Sequence, residues 1–150
     1  MALKYQQEID RLSLSLSCPE GVYPPNGELP AFRLSFNPIE HPLNFLPNVV
    51  FDREKNIPFP YTKRLTTNEG KVIVCKRCGA SFYLSLESVR KQWENMSDQN
   101  KENFGYTHIA NGTLNGKDGL MREPEKSGHF GFYEDEKANL TKKFKVSEEL

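Results

Sequence analysis

Nine of the ten prolines in this 150-residue chain fall between Pro19 and Pro60. Proline fixes φ and removes a backbone donor, so this third of the chain is predicted not to be mostly helical. It is also too apolar for a disordered linker, carrying Phe32, Phe36, Leu43, Phe45, Leu46, Val49, Val50 and Phe51. The expectation is extended chain wrapped against a core. Within it AFRLSF (31–36) places Phe32, Leu34 and Phe36 on one face and Arg33 and Ser35 on the other. That alternation predicts a half-buried strand, with Arg33 on its exposed side.

The first residues (1–16) predict a helix ending near Leu12, followed by the extended LSLSLS (12–17). VIVC (72–75) reads as a second strand and ASFYLS (80–85) as a third. Ser85 suits a helix N-cap, and Leu86, Val89, Trp93 and Met96 follow at helical spacing. Ser97 caps a further short turn through Asn100 toward Phe104. THIANGTL (107–114) and GHFGFY (128–133) read as strands, with NGKDG (115–119) as a turn between them. The tail (134–150) is charged, anchored only by Leu140, Phe144 and Val146. The fold class expected is α+β, a mostly antiparallel sheet with one central helix and a Pro-rich extended N-terminal third. The length fits a single domain over 1–150.

Twenty basic and twenty acidic residues cancel. Balanced charge argues against a broad electrostatic footprint for nucleic acid or anionic membrane. No apolar run is long enough to span a membrane, and the start, MALKYQQEID, has no secretory pattern. Three cysteines are too few, and odd in number, for a disulfide framework. The expectation is a reduced, cytoplasmic protein.

The most specific chemistry sits in KVIVCKRCGASFY (71–83). Two residues between Cys75 and Cys78 let both thiolates face one ion, and the glycine that follows permits a tight turn. CKRCG (75–79) resembles half of a zinc ribbon. No second pair follows in sequence, so a zinc site would recruit His108 and His129 from the strands flanking the NGKDG turn. That set, Cys75, Cys78, His108 and His129, would suit a zinc-knuckle nucleic-acid binder using Lys76 and Arg77. Those two belong to a local basic cluster with Lys63, Arg64 and Lys71. The competing readings are two reduced cysteines at a turn and a redox pair, the latter disfavoured because no helix N-terminus is expected there.

Arg33, then a strand bearing Ser81 and Ser85, then YEDE (133–136) with Glu134 and Glu136, is an order that resembles arginine-type ADP-ribosyltransferases. The resemblance implies a split β-sheet that binds NAD. It implies Arg33 on the pyrophosphate side and Ser81 or Ser85 near the nicotinamide ribose. Glu136 would stabilise the oxocarbenium-like transition state, and Glu134 would assist the acceptor. The competing reading is a solvated charge run beginning at Glu134.

No phosphate-binding glycine loop, dinucleotide fingerprint, nucleophile elbow or His-Glu-x-x-His appears. The expected function is therefore a small soluble interaction module of immunity, adaptor or accessory-subunit type. Its partner would be another protein; no membrane is expected, and nucleic acid is disfavoured. The NAD-using enzyme and the zinc-dependent binder stand as alternatives.

Overall fold

A computed structural model describes residues 1–58 and 64–150. Six strands form one antiparallel sheet: β1 Leu29–Ser35, β2 Ala80–Tyr83, β3 His108–Leu114, β4 Gly119–Met121, β5 His129–Glu134 and β6 Phe144–Glu149. Their order across the sheet is β4-β5-β2-β1-β3-β6. The described helices are α1 Gln6–Asp10, α2 Asn48–Glu54, α3 Asn68–Arg77, α4 Leu86–Asn95 and α5 Asp98–Phe104. The chain is thus α+β, with several helices rather than one central helix.

Both sheet faces are covered. Alternation along β2 and β5 sends Phe82, Phe130 and Phe132 to one side, where they meet Phe45, Leu114, Leu140 and Phe144. Each such ring stabilises the fold by about 2–3 kcal/mol through burial alone. On the other side Leu34, Tyr83 and Ile109 pack beneath Val89, Leu86 and Trp93 of α4. As its sequence predicts, α4 is capped by Ser85, whose hydroxyl accepts from Ser88 N at 3.1 Å. Ser97 caps α5 in the same manner.

Four expectations are corrected. VIVC lies inside α3 rather than in a strand. Its β-branched residues favour a strand, but both ends favour a helix. Thr67 caps the start by accepting from Gly70 N, Glu69 sits in the first turn, and Lys76 and Arg77 sit in the last. The helix buries Val74 and Cys75 and leaves Val72 and Ile73 exposed.

β1 is not half-buried. Its Ala31 face packs into the aromatic core and its Leu34 face lies under α4, and Arg33 and Ser35 are as buried as Leu34. The Pro-rich third is not only extended chain: Pro47 stands at the N-cap of α2, a position where a missing amide costs little. Finally, Cys18 and Cys75 form a disulfide spanning 57 residues, and Cys78 is the free, buried cysteine. An odd cysteine count rules out full pairing, not a single bridge, so the fully reduced reading does not hold. Among the described residues no helix is long and apolar enough to cross a membrane.

Candidate functional site

The ladder between β1 and β2 consists of one registered pair, Phe32 opposite Tyr83. By contrast, β1 pairs with β3 along its whole length. Where the β1–β2 ladder stops, the N-terminus of α2 takes over: Asn48 N donates to Gly79 O at 3.0 Å. A cleft of about 100 Å³ opens at this break, walled by Arg33 of β1, Ser81 and Tyr83 of β2, and side chains from the surrounding helices.

Arg33 dominates its electrostatics. The side chain is 3% exposed, yet among the described residues it has no carboxylate partner. Its Nε donates to Leu34 O at 3.2 Å. Its guanidinium carbon stands 5.1 Å from the centroid of Phe82 and 5.3 Å from that of Phe45. Among the described residues Nη1 has no hydrogen-bond partner. Burial pushes the guanidinium pKa down, because the charged form loses its water. The neighbouring hydroxyls offer no counter-charge: burial first, then Tyr106, pushes the Tyr83 phenol up, and burial also raises Tyr106. Across the cleft, Arg77 Nη2 lies 2.9 Å from Asp52 Oδ2, so that pair is internally neutral. Among the described residues no carboxylate forms a contact ion pair with Arg33; buried Glu134, already paired with Lys4, acts on it only at longer range.

A second polar chain enters from β2. Ser81 lies opposite Gly131 and Tyr83 opposite His129, so Ser81 and His129 are diagonal neighbours on one face. Ser81 Oγ is 2.9 Å from His129 Nε2, and His129 Nδ1 is 2.5 Å from Glu125 Oε2. Asn48 Nδ2 donates to Ser81 Oγ at 2.9 Å.

Of the residues singled out from sequence, the cleft brings Arg33 and Ser81 together and adds His129. It does not bring in the two glutamates. Glu134 shares a strand face with Phe130 and Phe132, turned toward the aromatic core, and pairs with Lys4 at 3.0 Å. Burial raises its pKa despite that pairing. Glu136 is exposed in the turn after β5, its amide donating to Ala2 O. Ser85 serves as the α4 cap.

The four suggested zinc ligands are likewise dispersed. Cys75 is bonded to Cys18. Cys78 donates to Val74 O, and burial pushes its thiol up to about 12. β2 and β1 lie between the strands of His129 and His108, a separation of roughly 14 Å at normal strand spacing. The NGKDG turn does not close a hairpin between them, because β4 pairs with β5 at the far edge. Among the described residues no group of three or more His, Cys, Asp or Glu is arranged to hold a metal. Of the basic cluster, Lys76 is exposed, Arg77 pairs with Asp52, and Lys63 lies outside the described residues.

Sequence reasoning missed Asn48, Asp52, Tyr106 and Glu125. For Glu125 a signal existed: Pro124 and Gly128 bracket a tight loop that returns a carboxylate beside His129. Asn48, Asp52 and Tyr106 gave none, since the first two arrive from α2 and the third from the link between α5 and β3. Compared with known protein families, characterised proteins and solved structures, the chain matches none.

Proposed function

We propose that the protein binds a small anionic ligand, a carboxylate or phosphate, in the cleft between β1 and β2. The observation that carries this reading is Arg33: among the described residues, a buried guanidinium with an unpartnered Nη1 and no carboxylate in ion-pair contact, Glu134 acting on it only at longer range. A buried charge is costly unless paired and hydrogen-bonded. Two aromatic rings offset part of that cost and an anion would offset the rest. The cleft, at about 100 Å³, is well below the roughly 300 Å³ of a typical drug-sized site. It therefore fits the charged end of a ligand rather than a whole dinucleotide. NAD could present only its pyrophosphate there, and Glu134 and Glu136 would stand away from it.

The test is thermal unfolding with inorganic phosphate or acetate, each against sodium chloride at matched ionic strength. Phosphate or acetate is expected to raise the melting temperature of the wild type and not of Arg33→Met. Ligand at 100 times its dissociation constant stabilises by about 2.7 kcal/mol. Equal shifts in both proteins, or none beyond the chloride control, overturn the reading.

A protein partner remains the second reading, favoured by Val72 and Ile73, adjacent on α3 and 45% and 42% exposed. Self-association is its simplest form. A sedimentation coefficient that does not change with concentration removes that form. A cytoplasmic setting, expected from the thiol count, now requires the Cys18–Cys75 bond to persist in reducing surroundings.

A further inference from the structure

We infer that Ser81 is a nucleophile, activated by His129 and oriented by Glu125, and that the cleft acts on short esters carrying an anionic group. The class of substrate rests on the anion-binding reading; the nucleophile does not.

The hydrogen-bond directions set the chemistry. Asn48 can reach Ser81 Oγ only through Nδ2, which is a donor. Ser81 therefore accepts from Asn48, and its own hydrogen is free to point to His129 Nε2, 2.9 Å away. Glu125 as a carboxylate can only accept, so in the neutral ring His129 Nδ1 carries the hydrogen and Nε2 the lone pair. One proton path runs from a hydroxyl through an imidazole held in the required tautomer by an acid. This is the arrangement that activates a serine in unrelated folds.

The loop supplying Glu125 is closed on itself, with Gly128 N donating to Glu125 O and Glu125 N to His129 O. Gly128 adopts φ +87°, and a Cβ there would lie 2.6 Å from Ser88 Oγ. The acid is thus fixed by backbone rather than by its own burial. Ser81 itself lines the cleft that holds Arg33.

In the reaction, Ser81 Oγ forms a bond to the ester carbonyl carbon as its proton passes to His129 Nε2. Asn48 Nδ2 stands beside the attacking oxygen, where it holds Ser81 Oγ in place. The carbon–oxygen bond to the alcohol then breaks, His129 returns the proton to the departing oxygen, and the acyl group stays on Ser81. Water next attacks that carbonyl, giving its proton to His129. The bond to Ser81 breaks, Oγ takes the proton back, and a carboxylic acid is released.

The experiment uses the full chain with three probes: an alkyl fluorophosphonate, phenyl acetate and 4-acetoxybenzoate. The two esters share an acyl group and differ by one carboxylate. The fluorophosphonate is expected to add one phosphonyl group at Ser81, with loss of fluoride, located by mass spectrometry of peptides. Ser81→Ala removes the adduct, and His129→Gln slows its formation at least ~10²-fold. Circular dichroism confirms that each variant is folded, and Ser85→Ala serves as a control outside the cleft.

Labelling with a preference for 4-acetoxybenzoate that Arg33→Met abolishes supports both readings. Labelling with equal ester rates keeps the nucleophile and discards the anionic substrate class. Phosphate binding with no adduct and no ester cleavage overturns the nucleophile and leaves the binding reading intact. An adduct that survives His129→Gln at full rate also overturns the inference, since a merely structural Ser–His contact would give that result.

Discussion

Replacing Arg33 by Met separates a ligand anchor from a structural arginine, because the two roles predict opposite effects on the ligand-free protein. Among the described residues the wild-type guanidinium makes one hydrogen bond, to Leu34 O, and two ring contacts. The hydrogen bond, from a charged donor but long, contributes about 1.5 kcal/mol. The two ring contacts, desolvated, contribute about 1–2 kcal/mol each. Against this total of roughly 4–5 kcal/mol stands the effective penalty of burying an ion, itself several kcal/mol. Methionine removes both sides of the balance and adds about 2 kcal/mol from its own buried side chain. The expected net change is within about 1 kcal/mol of zero, or slightly stabilising, as found when buried ions give way to apolar residues of similar volume. At about 2–4 °C per kcal/mol for a chain of this size, the melting temperature should move by less than about 4 °C. Differential scanning calorimetry in buffer free of phosphate and carboxylates measures it. A fall of roughly 6–20 °C, the signature of losing about 3–5 kcal/mol, would show that the charge is satisfied within the fold and would refute the argument for an absent anion.

Three further outcomes follow. The 57-residue span closed by Cys18–Cys75 should make the oxidised protein more stable than its reduced form by about 4 kcal/mol, read from urea midpoints; a midpoint indifferent to reductant contradicts the bridge. Thiol titration should find no reactive thiol in the native protein, because Cys78 is buried with its thiol pushed up to about 12. Unfolding without reductant should expose one thiol, and unfolding with reductant three. Glu134, whose pKa burial raises, contributes stability that is present below the unfolded value of about 4.3 and is lost as pH rises through the higher folded value. The melting temperature of Glu134→Gln relative to wild type should therefore climb between pH 4 and pH 7, and a constant difference would show that Lys4 fully compensates the burial.

The elements legible in the sequence are those defined by local chemistry. Ser85 and the spacing of Leu86, Val89 and Trp93 mark α4 because a cap and an amphipathic face need only neighbours in sequence. Alternation marks β2, β3 and β5 for the same reason. The composition of β6 predicts a charged tail. The segment is an edge strand, burying Phe144 and presenting Lys145, Glu148 and Glu149, and charged residues are how an exposed edge avoids pairing with other chains. VIVC taken alone favours a strand; the Thr67 cap before it is what decides for α3.

The cleft was not legible, because every part of it depends on a long-range choice. Alternation correctly separated Arg33 from Phe32 and Leu34, but alternation cannot say that β1 would pair on both sides. Once the sheet has β1 at its centre and the aromatic core packs over the face that carries Ala31 and Arg33, that face is interior, and an ordinary surface arginine becomes a buried cation. The break that gives this cation an outlet comes from the Pro-rich segment. Pro47 begins α2 where its lack of an amide does no harm, which leaves Asn48 N to take Gly79 O at the point where β1 would otherwise continue its ladder with β2. The same residue's side chain fills the acceptor position of Ser81. Asn48 thus ends the strand pairing and polarises the hydroxyl through two separate donors. Asn48→Ala should leave the backbone contact with Gly79 in place while slowing fluorophosphonate labelling of Ser81 by about tenfold or more, the share of one preorganised hydrogen bond. Unchanged labelling in a folded Asn48→Ala protein would mean that the break in the sheet is structural and that Asn48 takes no part in activating the serine.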